Sequence, residues 1–233
     1  KCEFTWRTAR GNNDFASVKP LLEEVLSLTQ EKADMMAAKL EKTPYDALLD
    51  QYEPDATSAE IDVVFGKVAE FLPELFQRVL DYQASQPAII PLNGPFKVDA
   101  QRTLGLSIMK TLGFDFEHGR LDVSHHPFCG GNPTDIRITT RYSEDDFTSS
   151  LMGVIHETGH ALYEAGLPRA RLGQPVGESR SMGIHESQSL LMEMQACRGD
   201  EFISFIAPKL TDAFGGEGPG WSPDNLRRIY TRV

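Results

Sequence analysis

The sequence predicts a mainly α protein with one small β element near residues 120–142. Apolar residues recur at helical spacing through most of the first 112 residues, and only the region 113–145 changes to short alternating segments. A chain of 233 residues, 40% of them hydrophobic, buries about 70–75% of its unfolded surface and needs no structural metal to fold. We expect one incomplete domain, 1–233, with a helical part over 1–112, the β element over 113–145 and further helices over 146–233.

Three helices are expected in the N-terminal part. The first covers about 14–40, where apolar side chains follow a period close to 3.6 residues. The second runs to about residue 85 and opens with Thr57-Ser58-Ala59-Glu60, in which Thr57 can cap the backbone and Glu60 can reach back. The third covers about 97–112.

The β element is expected to contain two segments, 120–123 and 136–142, separated by Gly130-Gly131-Asn132-Pro133. A helix over about 146–165 follows, then a Gly/Pro/Arg-rich loop to 183, one long helix to about 210, a Gly-rich loop and a last helix from 222. The chain opens without Met, and the last helix reaches Val233 without a Gly or Pro stop signal. The sequence is therefore predicted to be a fragment of a longer protein.

Charge and composition argue against several partners. Lys and Arg total 23 against 34 Asp and Glu, and a formal charge of -11 does not favour nucleic acid. We expect no membrane segment and no signal peptide, because no apolar run approaches about 20 residues. The cysteines Cys2, Cys129 and Cys197 are odd in number and far apart, which favours a reducing, cytoplasmic setting.

One motif suggests metal chemistry. His156-Glu157-Thr158-Gly159-His160 lies in a helical pattern, so its two imidazoles point the same way and can bind one tetrahedral zinc ion. Glu157 is turned off the metal and is placed to take a proton from a bound water. Catalytic zinc usually has three protein ligands, and the next acid in a helix-forming segment is Glu186.

The alternative is a pair of hydrogen-bonded core histidines beside a solvated Glu157. A random chain of this length and composition contains the His-Glu-x-x-His pattern with a probability of about 2%. Two imidazoles and a carboxylate buried without partners would cost several kcal/mol, so one of these two explanations must hold. The metal site is the favoured one.

Four segments occur in an order that resembles the carboxypeptidase Taq family of metallocarboxypeptidases. They are His126-Pro127-Phe128, Asp135-Ile136-Arg137-Ile138-Thr139, His156-Glu157-Thr158-Gly159-His160 and His185-Glu186-Ser187-Gln188. The resemblance implies that His156, His160 and Glu186 bind one divalent metal, zinc or alternatively cobalt, and that Glu157 is the general base. It also implies a peptide substrate, a homodimer and an intracellular protein. Two later motifs of the family would fall beyond Val233, so this fragment is expected to lack part of the catalytic machinery.

Three further residues are candidates for substrate binding. Arg137 could hold the free carboxylate of a peptide through two parallel hydrogen bonds, although a structural pair with Asp135 is nearly as good an explanation. His126 and His185 could donate to the substrate or the developing oxyanion, or serve the structure alone. The predicted function is a metal-dependent carboxypeptidase. The alternatives are a metallo-endopeptidase or aminopeptidase, and a non-catalytic helical scaffold that retains the metal site.

Overall fold

The computed structural model describes all 233 residues and confirms a mainly α fold with a small β element. The helices are α1 (Cys2–Gly11), α2 (Phe15–Leu40), α3 (Pro44–Leu49), α4 (Ser58–Ser85), α5 (Val98–Leu112), α6 (Thr148–Gly166), α7 (Met182–Leu190), α8 (Asp200–Phe214) and α9 (Pro223–Tyr230). The strands are β1 (Gly119–Val123), β2 (Phe128–Asn132) and β3 (Asp135–Thr140). No helix combines the length and the apolar character needed to cross a bilayer.

The chain divides into two compact units, Lys1–Phe71 and Leu72–Val233. The prediction of a single incomplete domain stays a prediction. In the first unit, α2 packs against α1 and α3, two short helices that the sequence pattern did not resolve. The predicted capping box is present at α4, where the Glu60 carboxylate accepts from the Thr57 N–H at 3.1 Å and the Glu60 N–H donates to the Thr57 hydroxyl.

Helix α4 spans the boundary between the two units and has no buried residue. Its exposed apolar side chains are Val63, Val64, Phe65, Val68, Phe71, Leu72, Leu75, Phe76 and Tyr82. An amphipathic helix usually derives most of its stability from packing its apolar face. In α4 these apolar side chains are exposed to solvent instead.

The second unit is built around α6. One side of α6 contributes Leu151 and Ile155 to a core cluster with side chains of α5, α8 and α9. The other side contributes Val154 and Ala161 to a second cluster with α5 and the sheet. Because both sides are covered, α6 is held firmly between two apolar layers.

The sheet has the strand order β1-β3-β2, with β1 parallel and β2 antiparallel to β3. The sequence prediction was wrong at residues 130–132, which form part of β2 instead of separating two strands. Gly131 has a φ of 124°, and a Cβ there would lie 2.0 Å from the carbonyl oxygen of Asp135. Gly131 therefore lets β2 pair closely with β3. The sequence pattern indicated a loop here because glycine has low strand propensity.

The single long helix expected between residues 183 and 210 was also wrong. The chain forms α7, a π-helical segment over Leu191–Ala196, an interruption and then α8. Gly199 has extended backbone angles and precedes Asp200 and Glu201 in the first turn of α8. Glycine weakens a continuous helix, while acidic residues favour a new N-terminus through the helix dipole.

Candidate metal centre

Helix α6 carries both histidines of the central motif. The rings of His156 and His160 lie one turn apart, with their centroids separated by 5.0 Å. Just before the helix, the Asp146 carboxylate accepts the backbone N–H of Thr148 at 2.8 Å and its hydroxyl at 2.6 Å. The two buried clusters behind α6 leave the face with the imidazoles for another element.

That element is α7, which crosses α6 at Gly159. A Cβ on Gly159 would lie 2.6 Å from both the carbonyl oxygen of Gln188 and the Cα of Ser189. The backbone of α7 therefore packs directly on α6 at a position where only glycine fits. This close crossing brings Glu186, two residues before Gln188, over the two imidazoles.

The three predicted ligands converge. The Glu186 Oε2 atom is 3.1 Å from His160 Nε2 and 3.8 Å from His156 Nε2. One ligand atom from each residue lies within 4.8 Å of the other two. Ligand atoms about 2.0–2.1 Å from a tetrahedral zinc would be about 3.3 Å apart, so this donor set fits a divalent cation with little rearrangement.

The second nitrogen of each imidazole has its own partner. His156 Nδ1 is 2.9 Å from the Oε2 of Glu193. His160 Nδ1 is 2.6 Å from the Nδ1 of His185, whose Nε2 is 2.7 Å from the Oε1 of Glu164. Both ring nitrogens of His185 thus have partners next to His160, and the predicted role of His185 in substrate binding stays a prediction.

Burial shifts the pKa of two residues at the site. Burial raises the pKa of Glu157, against the opposing influence of the neighbouring His156 and His126 side chains. A raised pKa brings this carboxylate closer to the range in which a general base works well. Burial, with the neighbouring His185 and His156, also lowers the pKa of His160 and so favours a neutral imidazole with a lone pair for a cation.

The other two substrate-binding candidates belong to the β element, with Arg137 on β3 and His126 between β1 and β2. Arg137 projects from the exposed face of β3 and binds Asp135, with Nη2 2.7 Å and Nε 3.1 Å from its two carboxylate oxygens. The Nδ1 atom of His126 lies 2.5 Å from the Pro127 carbonyl oxygen, and the His126 carbonyl accepts from the Thr139 hydroxyl. The roles of Arg137 and His126 in substrate binding stay predictions.

The sequence reasoning missed Glu164 and Glu193. Glu164 follows His160 by four residues, so the helical spacing that paired the two histidines could have found it on the same face. Glu193 belongs to the π-helical segment, whose winding cannot be read from the sequence pattern.

A helical protein with a His-Glu-x-x-His helix and a glutamate from a later helix has the arrangement of a metallopeptidase. Residues 1–233 match the family model of the carboxypeptidase Taq (M32) metallopeptidases, and the chain therefore belongs to that family.

The chain is similar to several carboxypeptidases. It is 39% identical over 227 residues to thermostable carboxypeptidase 1 of Thermus thermophilus, covering 94% of this chain and 44% of that protein. It is 36% identical over 214 residues to carboxypeptidase 1 of Bacillus subtilis, covering 91% of this chain and 42% of that protein. The structure of Trypanosoma cruzi metallocarboxypeptidase 1 matches with a TM-score of 0.88 and 44% identity, over 100% of this chain and 46% of that chain. The chain thus spans less than half the length of these relatives.

Proposed function

We propose that this chain carries the metal centre of a carboxypeptidase that hydrolyses the C-terminal peptide bond of peptides. The observation that carries the proposal is the convergence of His156, His160 and Glu186 within a chain of the M32 family. The carboxypeptidase names of the relatives favour this activity over an endopeptidase or an aminopeptidase.

The family implies a divalent metal, which we propose to be zinc, with cobalt as the alternative. His156 and His160 would hold it through Nε2 and Glu186 through its carboxylate, as their spacing allows. Such a cation supplies Lewis-acid polarisation of the scissile carbonyl and makes water more acidic.

Glu157 acts as the general base in this proposal. It accepts the proton of the attacking water and transfers it to the leaving amine. Its buried position removes competing solvent, and its raised pKa makes both the gain and the loss of a proton accessible. No covalent intermediate with the protein is required.

Arg137 is the proposed binding group for the free carboxylate of the substrate. Its planar guanidinium suits a carboxylate, but Asp135 already occupies two of its donors. A substrate carboxylate would therefore have to share or replace the Asp135 contact. His126 lies near enough to Glu157 to lower its pKa, and we propose that His126 faces the substrate beside the general base.

The test is Glu157→Gln in the longest natural chain that contains this sequence. That chain is needed because this sequence spans less than half the length of the relatives it matches. We expect the variant to lose nearly all peptide hydrolysis while its metal content is unchanged, because glutamine cannot accept the proton. Glu201→Gln, an exposed residue in the first turn of α8, is the matched control and should retain activity.

Peptides with free and with blocked C-termini separate the alternatives. A carboxypeptidase cleaves only the free form, whereas equal cleavage of both would indicate an endopeptidase, and cleavage that requires a free N-terminus an aminopeptidase. A Glu157→Gln variant as active as the unmodified protein would indicate a scaffold with a non-catalytic metal site. The homodimer and the cytoplasmic location remain predictions from the family resemblance, and sedimentation analysis tests the first of them.

A further inference from the structure

We propose that Glu193 is a positioning residue for His156. It holds the imidazole in the tautomer whose Nε2 lone pair points to the metal position, and Arg198 in turn holds Glu193. This inference rests on the metal site proposed above, and it concerns residues outside the three ligands and the general base.

The contacts of the His156 ring determine which of its nitrogens carries the hydrogen. His156 Nδ1 lies 2.9 Å from Glu193 Oε2, while the Nε2 of the same ring faces Glu186 at 3.8 Å. An ionised carboxylate can only accept, so Nδ1 must carry the hydrogen when it bonds to Glu193. A neutral imidazole with its hydrogen on Nδ1 has its lone pair on Nε2, which is the atom a metal would bind.

Glu193 is itself held in place by Arg198. Its Oε1 accepts from Arg198 Nη2 at 2.6 Å, and Arg198 Nη1 donates to the carbonyl oxygen of Tyr230 at 2.6 Å. The side chain of Glu193 is only 16% exposed. The guanidinium supplies the charged partner that a poorly solvated carboxylate needs. Arg198 thus anchors the acceptor of His156 to the last residue of α9.

The backbone around Glu193 supports the same conclusion. Glu193 lies within the π-helical segment Leu191–Ala196, which directly follows α7. Such wider turns are rare and occur frequently at functional sites, because they change the direction of the side chains they carry. Here the chain presents Glu186 and Glu193 to opposite nitrogens of one imidazole.

His160 provides an internal comparison, because its support is separate. With Nε2 free for a metal, His160 Nδ1 donates to His185 Nδ1, and His185 Nε2 donates to the Glu164 carboxylate. None of these contacts involves Glu193 or Arg198. A change at Glu193 should therefore alter His156 and leave His160 unchanged.

Glu193→Gln is the sharpest variant, because it preserves size and removes one acceptor. Arg198 can only donate, so the amide oxygen turns to Arg198 and the amide NH2 faces His156 Nδ1. That arrangement moves the His156 hydrogen to Nε2 and takes away the metal-binding lone pair. Glu193→Ala removes both acceptors, and Glu201→Gln is the exposed control.

The tautomers are measured in the metal-free protein by long-range 1H–15N NMR, and zinc affinity is measured by competition with a chelator. In Glu193→Gln we expect the His156 signals to change to the Nε2–H form while the His160 signals stay. Zinc affinity should fall by about 10- to 100-fold, the usual effect of losing a partner of a metal-binding histidine. Glu193→Ala should also weaken zinc binding, and Glu201→Gln should not.

An Nδ1–H form of His156 and an unchanged zinc affinity in folded Glu193→Gln would overturn the inference and leave the proposed function standing. Failure of the unmodified protein to bind one zinc would instead contradict the proposed metal site. The His156 tautomers of the metal-free protein and of Glu193→Gln would then still show whether Glu193 orients the His156 ring. If Glu193→Ala fails to fold, the Gln variant of equal size supplies the decision.

Discussion

At the scale of single residues, Gly159 imposes a strict steric limit on the site, because there is no room for a side chain at this position. It lies between the proposed general base and the second histidine of the motif, where the backbone of α7 passes over α6. Any larger residue would separate the helix that carries two proposed ligands from the helix that carries the third.

We predict that Gly159→Ala destabilises the protein by about 1–3 kcal/mol, the usual cost of overpacking, and also weakens metal binding. The added methyl would lie 2.6 Å from backbone atoms of Gln188 and Ser189, which cannot rotate away. Thermal unfolding and a zinc titration measure the two effects. Gly166→Ala at the end of the same helix has open space around its Cβ and should be neutral or slightly stabilising. Equal stability of the two variants would contradict the close crossing.

The individual site residues differ in how well the sequence predicted them. His156 and His160 share one helical face because helix geometry places residues four apart together, and the structure shows this pairing. Glu186 came from its helix-forming context and its position after the motif, and the structure brings it to both rings. Glu193 and Arg198 could not be predicted, because their contacts depend on the π-helical winding and on a carbonyl of the distant α9.

At the scale of elements, the start of α6 determines where the two histidines lie. The Asp146 carboxylate accepts hydrogen bonds from Thr148 and Ser149 at this start. Burial alone would raise the pKa of Asp146, but the hydrogen bonds from Ser149 and Thr148 outweigh it and hold the pKa below its usual value of 3.8. The ionised form is therefore the one that stabilises the folded state.

We predict that Asp146→Ala lowers the free energy of unfolding by about 1 kcal/mol near neutral pH, because the first turn of α6 loses its side-chain hydrogen-bond acceptor. A carboxyl group whose pKa is lowered by folding stabilises the protein above its unfolded pKa, and the effect disappears as pH falls through the folded pKa. The difference from the unmodified protein should thus be constant in the neutral range and shrink only below the usual carboxyl pKa of 3.8. Urea unfolding at several pH values measures it.

Asp145→Ala is the matched control, because Asp145 is an exposed neighbour outside this cap. It should change the free energy of unfolding little at any pH. A difference between Asp146→Ala and the unmodified protein that persists undiminished in strong acid would contradict the capping role.

The elements were predicted best where one periodicity dominates. Helices α2, α4, α5 and α6 begin and end close to their predicted bounds, because long amphipathic stretches and a capping box define them. Strand β2 was missed because its glycines give no side-chain pattern, although Gly131 allows close pairing with β3. The division between α7 and α8 was missed because the apolar spacing continues across Gly199, so only local backbone conformation reveals it.

At the scale of the whole molecule, burial is distributed unevenly. Fully buried side chains such as Ile108, Ile155, Ile203 and Leu210 belong to α5, α6 and α8, whereas α4 buries none. Local opening costs least where few apolar contacts would be lost. The two histidines of the candidate metal site therefore lie on one of the best-packed helices of the chain, α6.

We predict that amide hydrogens of α4 exchange faster with solvent than those of α6. Hydrogen–deuterium exchange followed by mass spectrometry measures this with peptides from each helix, normalised to the unfolded chain. The reason is that an opening of α4 exposes little new apolar surface, while an opening of α6 disrupts both core clusters. Equal protection of the two helices would show that α4 is covered in solution.

The three proposed ligands also differ in their access to water. The Glu186 side chain is 46% exposed, whereas that of His160 is 13% exposed and His156 is 22% exposed. An ion entering or leaving would therefore pass on the side of the more exposed carboxylate. The candidate site thus combines two shielded imidazoles with one carboxylate open to solvent, so capture and release of the ion need no opening of the interior.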